Sequence, residues 1–215
     1  MYGVPPIIAV CTAAISSLAS TPNTVNPRIS SLSAAISIFM NPRGSDTVLV
    51  RSSTAANVWA MGECAGSPQF THVAFDDFRV VHDNLNGGSS TTTDRLVPYC
   101  MFTDPELARV GCNETEARRR GIGYRVLTLS MAAVLRTRTL SEPRGFMKLL
   151  IAANSDEIIG FTVFGAEGSE LMAAVQTAMI GRVPYTALGR AIYAHPTAAE
   201  GLTFLLRNEP TVPAR

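Results

Sequence analysis

The sequence predicts an α+β fold with an antiparallel sheet in its C-terminal half, on three observations. Phe146 to Ala152 and Ile158 to Phe164 both read as strands, and the polar turn Asn154-Ser155-Asp156-Glu157 joins them into an antiparallel hairpin. Leu171, Met172, Val175, Ala178 and Met179 recur at helical spacing, which makes Glu170 to Ile180 a helix with Ser169 as its cap and Gly181 as its stop. Upstream, Asn113 and Glu116 have capping-box spacing and Gly121 follows, so Asn113 to Arg120 is a short helix.

The remaining elements fall in order along the chain. Thr47 to Arg51 and Asn57 to Met61 are short apolar runs read as strands, the second nearly continuous and therefore buried on both faces. Phe70 to His82 reads as a helix with Val73, Phe78 and Val81 as its apolar stripe. Asn86 to Asp94, NGGSSTTTD, is a flexible connector and the domain boundary. Beyond it, Pro98 to Phe102 and the alternating Tyr124 to Ser130 are strands, and Thr186 to Tyr193 and Ala198 to Arg207 are short helices. The expected organisation is a leader over 1–45, a small segment over 46–90 and a self-sufficient domain over 95–208.

Composition narrows the function classes. The chain has 215 residues and a net charge of +1, from 18 basic and 17 acidic side chains, which argues against a nucleic-acid or membrane-surface partner. Its only basic run, Arg118-Arg119-Arg120, suits a solvated helix end. Cys11, Cys64, Cys100 and Cys112 have no CxxC or CxxxxC spacing, so no zinc knuckle or local redox disulfide is written here, and no metal is expected. Scattered cysteines favour a reducing compartment, hence a cytoplasmic protein. Met1 to Met40 has Arg28 as its only charge; Val4 to Ala19 is apolar enough for a signal h-region, but no Lys or Arg precedes it. It is also too short and serine-rich for a membrane span, and reads as a poorly specified leader, export being the lesser reading.

Three motifs stand in order. Val58-Trp59-Ala60-Met61-Gly62-Glu63, followed by Pro68-Gln69-Phe70-Thr71-His72-Val73-Ala74, resembles the second flavin-binding segment of the class I pyridine-nucleotide disulfide oxidoreductases. Phe102-Thr103-Asp104-Pro105-Glu106-Leu107-Ala108-Arg109-Val110-Gly111 resembles the start of that family's dimerisation domain, and Ala194-His195-Pro196-Thr197-Ala198-Ala199-Glu200 its His-Pro-Thr-x-x-Glu element. The resemblance spans about Val50 to Asn208. The wording QFTHVAFDDF is most similar to the mercuric-reductase-like branch, which includes reactive-chlorine-resistance enzymes.

The resemblance implies a dimerisation fold, an antiparallel sheet with helices on one face, preceded by a remnant of a flavin-binding α/β domain. It implies FAD as cofactor, with Gly62, Glu63, Thr71, His72 and Ala74 against it. A carboxylate at a strand end can hold ribityl hydroxyls, and the amides opening a helix favour the electron-rich edge of the ring. Glu63 stands where the family mostly has Asp and reaches one methylene further. The resemblance also implies a homodimer, or pairing with an intact homologue, in which His195 is the acid/base beside the partner's redox thiol and flavin while Glu200 orients it. An imidazole can shuttle a thiol proton near neutral pH, and a carboxylate raises its basicity. Pro196 is expected to be cis, as in the family.

Other parts of the family's machinery have no counterpart here. No GxGxxG occurs, and Gly121-Ile122-Gly123 follows a helix and precedes a strand, the wrong order for phosphate binding. The NAD(P)H site, the adenine end of the flavin site and the redox dithiol are therefore expected outside this sequence, and the chain alone is expected to be inactive, with FAD not retained. Two further readings stay open. One is a non-catalytic dimerisation module that presents apolar surface from the helix 170–180 and the C-terminal helix to a partner. The other is a hydrolase pairing Cys64 or Cys100 with His195, for which no nucleophile elbow is present. At residue level, Thr197 and Glu200 also have capping-box spacing, so Glu200 has two possible duties. His195 by spacing alone could be a plain loop histidine, His72 and His82 read as helix-start and helix-end residues, Cys64 as a small buried residue, and Trp59 as packing.

Overall fold

The computed structural model describes residues 7–11 and 58–212, with the backbone alone for 7–11, Val58 and Cys64. The expected strand Thr47–Arg51 and most of the expected leader lie outside these residues. The chain divides into two compact units, 1–95 and 96–215.

In the first unit, β1 (Ile7–Cys11) pairs parallel with β2 (Val58–Gly62) in register Ile7↔Val58 to Cys11↔Gly62. β1 was not foreseen as a strand; it lies within the stretch read as a leader. A 3-10 turn over Glu63–Ala65 leads to α1 (Thr71–Leu85), which starts one residue later and ends three residues later than the sequence suggests. The buried face of α1 consists of Val73, Asp77, Val80 and Val81, while Phe78 is exposed. The i, i+4, i+7, i+8 spacing from Val73 selects Asp77 over Phe78, so an acid occupies the stripe position. Met61, Val80 and Val81 form a small core with Trp59 packed against it, as Trp59 was expected to pack.

The second unit is a five-stranded antiparallel sheet in the order β3-β4-β7-β6-β5. Its strands are β3 (Tyr99–Met101), β4 (Glu106–Gly111), β5 (Tyr124–Ser130), β6 (Phe146–Ala152) and β7 (Ile158–Gly165). The helices are α2 (Glu114–Arg119), α3 (Leu135–Thr139), α4 (Gly168–Ile180), α5 (Tyr185–Leu188) and α6 (Gly201–Leu206). The hairpin of β6 and β7 forms as expected, with Met147 opposite Val163 and Leu149 opposite Phe161. Those residues, with Ala108, Val110 and Leu127, make one sheet face fully apolar, and Leu171, Met172 and Val175 of α4 and Leu202, Leu205 and Leu206 of α6 cover it. This is the expected α+β sheet with its main helices on one face. A second, smaller cluster lies outside the main core, where Ala117 of α2 packs with Tyr124, Val126 and Leu150.

The helix ends differ from the sequence reading in instructive ways. Asn113 caps α2 by accepting from the Glu116 amide at 2.7 Å, but the Glu116 carboxylate turns to Arg109 at 3.3 Å, so only half of the capping box forms. Ser169 does not cap α4. The cap position is Glu167 in a left-handed conformation, and Ser169 donates through both its amide (2.8 Å) and its hydroxyl (2.7 Å) to Glu106 of β4. A negative group from the neighbouring strand thus serves the helix start. The apolar stripes of α4 and α6 are consumed by the chain's own core, and the large apolar side chains left exposed on and between these helices are Ile180, Ile192 and Phe204. The expected helices 186–193 and 198–207 shrink to α5 and α6, and α3 was not foreseen. Gly160 permits a close backbone approach in the sheet: a Cβ there would lie 1.9 Å from the Cys112 carbonyl oxygen. The tail folds back so that Thr211 exchanges two backbone bonds with Val126, covering the edge strand β5.

Candidate functional site

The second unit places His195 and Glu200 in one short loop between α5 and α6. Tyr193 anchors its start, donating from its hydroxyl to the Leu188 carbonyl at 3.2 Å, and burial pushes that phenol's pKa up, so it stays neutral. The His195–Pro196 bond is cis, as expected. Thr197 donates to the Ala194 carbonyl at 2.8 Å and accepts from the Glu200 amide at 3.2 Å, closing the loop on itself. Both oxygens of Glu200 reach Nδ1 of His195, at 2.9 and 3.0 Å. The Glu200 carboxylate serves the imidazole; of the capping box only the bond from the Glu200 amide to Thr197 forms, within the loop, and α6, whose cap position is Glu200, has no side-chain cap.

The arrangement is an exposed imidazole on a half-buried carboxylate: the side chain of His195 is 62% exposed and that of Glu200 21%. A carboxylate accepting at Nδ1 fixes the tautomer and leaves Nε2 as the basic nitrogen, directed away from its orienting group. Such a pair can take a proton from an acidic group presented by another surface and return it. Beside it lies a cleft of about 830 Å³ lined by α5, α6 and the tail, with Arg190, Ile192, Phe204 and Arg207 among its walls.

The first unit places the other predicted residues around the turn from β2 to α1. Gly62 adopts φ 75°, ψ −156°, a conformation that glycine alone takes readily. Glu63 follows it, half-buried at the start of the 3-10 turn. Thr71, His72 and Ala74 open α1, whose cap position, Phe70, provides no side-chain cap. His72 stacks on Phe70 with ring centroids 5.2 Å apart. A strand-end carboxylate and a 15-residue helix without a side-chain cap fit the donor set a flavin requires. Glu63 would hold ribityl hydroxyls and the first turn of α1 the ring edge. The two groups of residues belong to different units, and each is brought together within its own.

Two residues were missed. Asp77 and Arg95 lie behind the Gly62 turn, and the available signal was an acid in the apolar phase of α1. The hydrolase reading gains nothing from Cys100, which packs against the main core, where burial, followed by the Glu106 charge, pushes its thiol pKa up, away from the reactive thiolate. Cys112 is buried in the smaller cluster. Among the described residues no group of three or more His, Cys, Asp or Glu could hold a metal ion, and no helix is long and apolar enough to cross a membrane.

Comparison with known proteins identifies the family and the fold. Residues 97–205 match the family described as "Pyridine nucleotide-disulphide oxidoreductase, dimerisation domain". The chain is 37% identical over 171 residues to a probable pyridine nucleotide-disulfide oxidoreductase, RclA, of Escherichia coli, covering 78% of this chain and 39% of that protein. It is 32% identical to a mercuric reductase of Acidithiobacillus ferrooxidans, covering 86% and 34% respectively. The solved structure of the HOCl-induced flavoprotein disulfide reductase RclA superposes with a TM-score of 0.70, at 37% identity over 77% of this chain and 39% of the other. The chain therefore spans about two fifths or less of the length of these relatives. With the five-stranded sheet, its covering helices and the motif order all in agreement, the chain belongs to the pyridine nucleotide-disulphide oxidoreductase family and contains that family's dimerisation domain.

Proposed function

We propose that this chain is the C-terminal portion of an FAD-dependent NAD(P)H:disulfide, or metal/dithiol, oxidoreductase, and that it supplies the His195–Glu200 acid/base pair across a homodimer interface. The observation that carries this reading is the double contact of Glu200 on His195 Nδ1, which leaves Nε2 outward on an exposed ring. A proton shuttle serving its own chain would sit in a cleft of that chain. One that faces solvent on a dimerisation domain suits a thiol brought by a second copy.

In that setting Nε2 of His195 accepts the proton of a thiol on the partner, and the imidazolium so formed sits between Glu200 and the thiolate, stabilised by both. Glu200 keeps Nδ1 protonated and the ring oriented throughout. Glu63 and the first turn of α1 would hold the flavin, which when bound would take up a hydride and pass on the electron pair. The soluble reducing compartment expected from the cysteines, the cytoplasm, is part of the same proposal.

The first test is a visible absorption spectrum of the purified chain before and after incubation with FAD and gel filtration. Flavin absorbance carried by the protein peak supports a site in which Glu63 and α1 take part; a colourless peak would leave a second reading. That reading, a dimerisation module without chemistry, is favoured by the complete core of the 96–215 unit, which needs no cofactor to bury its apolar residues.

A further inference from the structure

We propose that Asp77 and Arg95 are positioning residues for the flavin segment, fixing the Gly62–Ser67 turn and with it the direction in which the Glu63 carboxylate points. The inference rests on the flavin reading of Glu63. Asp77 is fully buried on α1, and its two oxygens are divided between two tasks. Oδ2 accepts from the Gly62 amide at 2.7 Å, and Oδ1 accepts from Arg95 Nη1 at 2.6 Å. Nη2 of Arg95 donates to the hydroxyl of Ser67, itself only 4% exposed, at 3.3 Å, and Arg95 also meets Asp76 at 3.2 Å. The Ser67 amide returns to the Gly62 carbonyl at 3.3 Å, and the Gly66 amide to the Glu63 carbonyl at 2.9 Å. One carboxylate thus holds the first residue of the turn directly and the last through a guanidinium.

Packing does not explain this acid. It stands where Val73, Val80 and Val81 set an apolar stripe, and a buried aliphatic residue there would avoid desolvating a charge. What only the carboxylate does is hold the amide of Gly62 in its φ 75°, ψ −156° conformation. The ψ of Gly62 determines where the next Cα–Cβ bond, that of Glu63, is aimed. Loss of the clamp frees a residue with the widest backbone choice of any, and Glu63 swings with it. A partner group held one step behind a ligand-binding carboxylate is the usual way such sites gain precision.

Hydrogen–deuterium exchange on the full 215-residue chain, read at single amides, tests the clamp, and FAD titration of the same samples tests its purpose. Asp77→Ala is expected to speed exchange at Gly62 at least roughly tenfold and to weaken FAD binding by a similar factor, while Val80 and Val81 keep their wild-type rates. Asp77→Asn retains an acceptor of the same shape and should recover part of the protection at Gly62. An unchanged Gly62 amide in Asp77→Ala refutes the clamp. So does equal loss of protection over Gly62, Val80 and Val81, which would make Asp77 a scaffold residue only. Wild-type FAD affinity in a variant whose turn has loosened refutes the link to flavin. If the wild-type chain takes up no FAD, the flavin reading and the link fail together, and the exchange rates alone still decide whether Asp77 holds the turn.

Discussion

Glu200 approaches one ring nitrogen of His195 with both of its oxygens, and this decides where the neutral imidazole keeps its proton. With the imidazole neutral, nitrogen NMR of the chain should show His195 as the Nδ1–H tautomer, with Nε2 bare. Glu200→Ala should move it toward the Nε2–H form; an unaltered tautomer would show that the carboxylate does not orient the ring. A second residue-scale expectation concerns Cys100. Burial, and then the Glu106 charge, raise its pKa, so at any given pH less of it is thiolate than of a free cysteine, and the deficit closes only above the ordinary thiol range of about 8.5. Iodoacetamide should therefore alkylate Cys100 more slowly than a free thiol at neutral pH, and Glu106→Gln should quicken it; fast labelling of wild-type Cys100 would contradict the assignment. The His195–Glu200 contact was legible because the motif names both partners. Asp77 was not, because an acid in an apolar register announces itself only once the partner amide, fifteen residues earlier in sequence, is seen.

At the level of elements, the sequence showed what local patterning writes: the β6–β7 hairpin, the stripe of α4 and the Asn113 cap of α2. It did not show what neighbouring elements decide. Ser169 has the composition of a cap, yet Glu106 takes its hydroxyl and amide, because the start of α4 lies over β4, sixty-three residues earlier. Glu106→Ala removes the acceptor for both groups, and the loss should be about 1–2 kcal/mol in chemical denaturation, the range of a lost helix cap. β4 itself was read only as a motif, since its buried positions, Ala108 and Val110, are small and its other face carries Leu107 and Arg109. β1 escaped notice for a different reason: a five-residue apolar run in a serine-rich stretch carries no turn or cap signal to mark it as a strand. Gly160 lies where two strands and the Cys112 carbonyl converge, so Gly160→Ala must push the backbone of β7 from β4. The expected result is a loss of at least about 1–3 kcal/mol, as for overpacked cores, and a melting curve unchanged from wild type would argue against the close approach.

For the whole molecule, the chain divides into two compact units after residue 95, just past the NGGSSTTTD connector at 86–94. On the helix 170–180 and the C-terminal helix, whose apolar surface the sequence offered to a partner, the stripes themselves are spent on the sheet. What remains is a different set. Ile192 is fully exposed, Phe204 is 38% exposed, and both line the cleft that Glu200 also borders. An aliphatic side chain that finds no cover in its own subunit, three residues from an outward-facing imidazole, suits an interface that brings His195 to a second copy. If that interface is two-fold, Ile192 is buried twice, and at about 1.5–3 kcal/mol for each buried side chain the pair should matter greatly. Ile192→Asp is therefore expected to weaken self-association roughly a hundredfold or more without altering the melting temperature of the monomer, since the residue touches none of the core. Sedimentation velocity over a concentration series reads this directly. A wild-type chain that stays monomeric throughout, or a variant that dimerises as well as wild type, would move the interface away from the His195 loop and leave the imidazole without a thiol to serve.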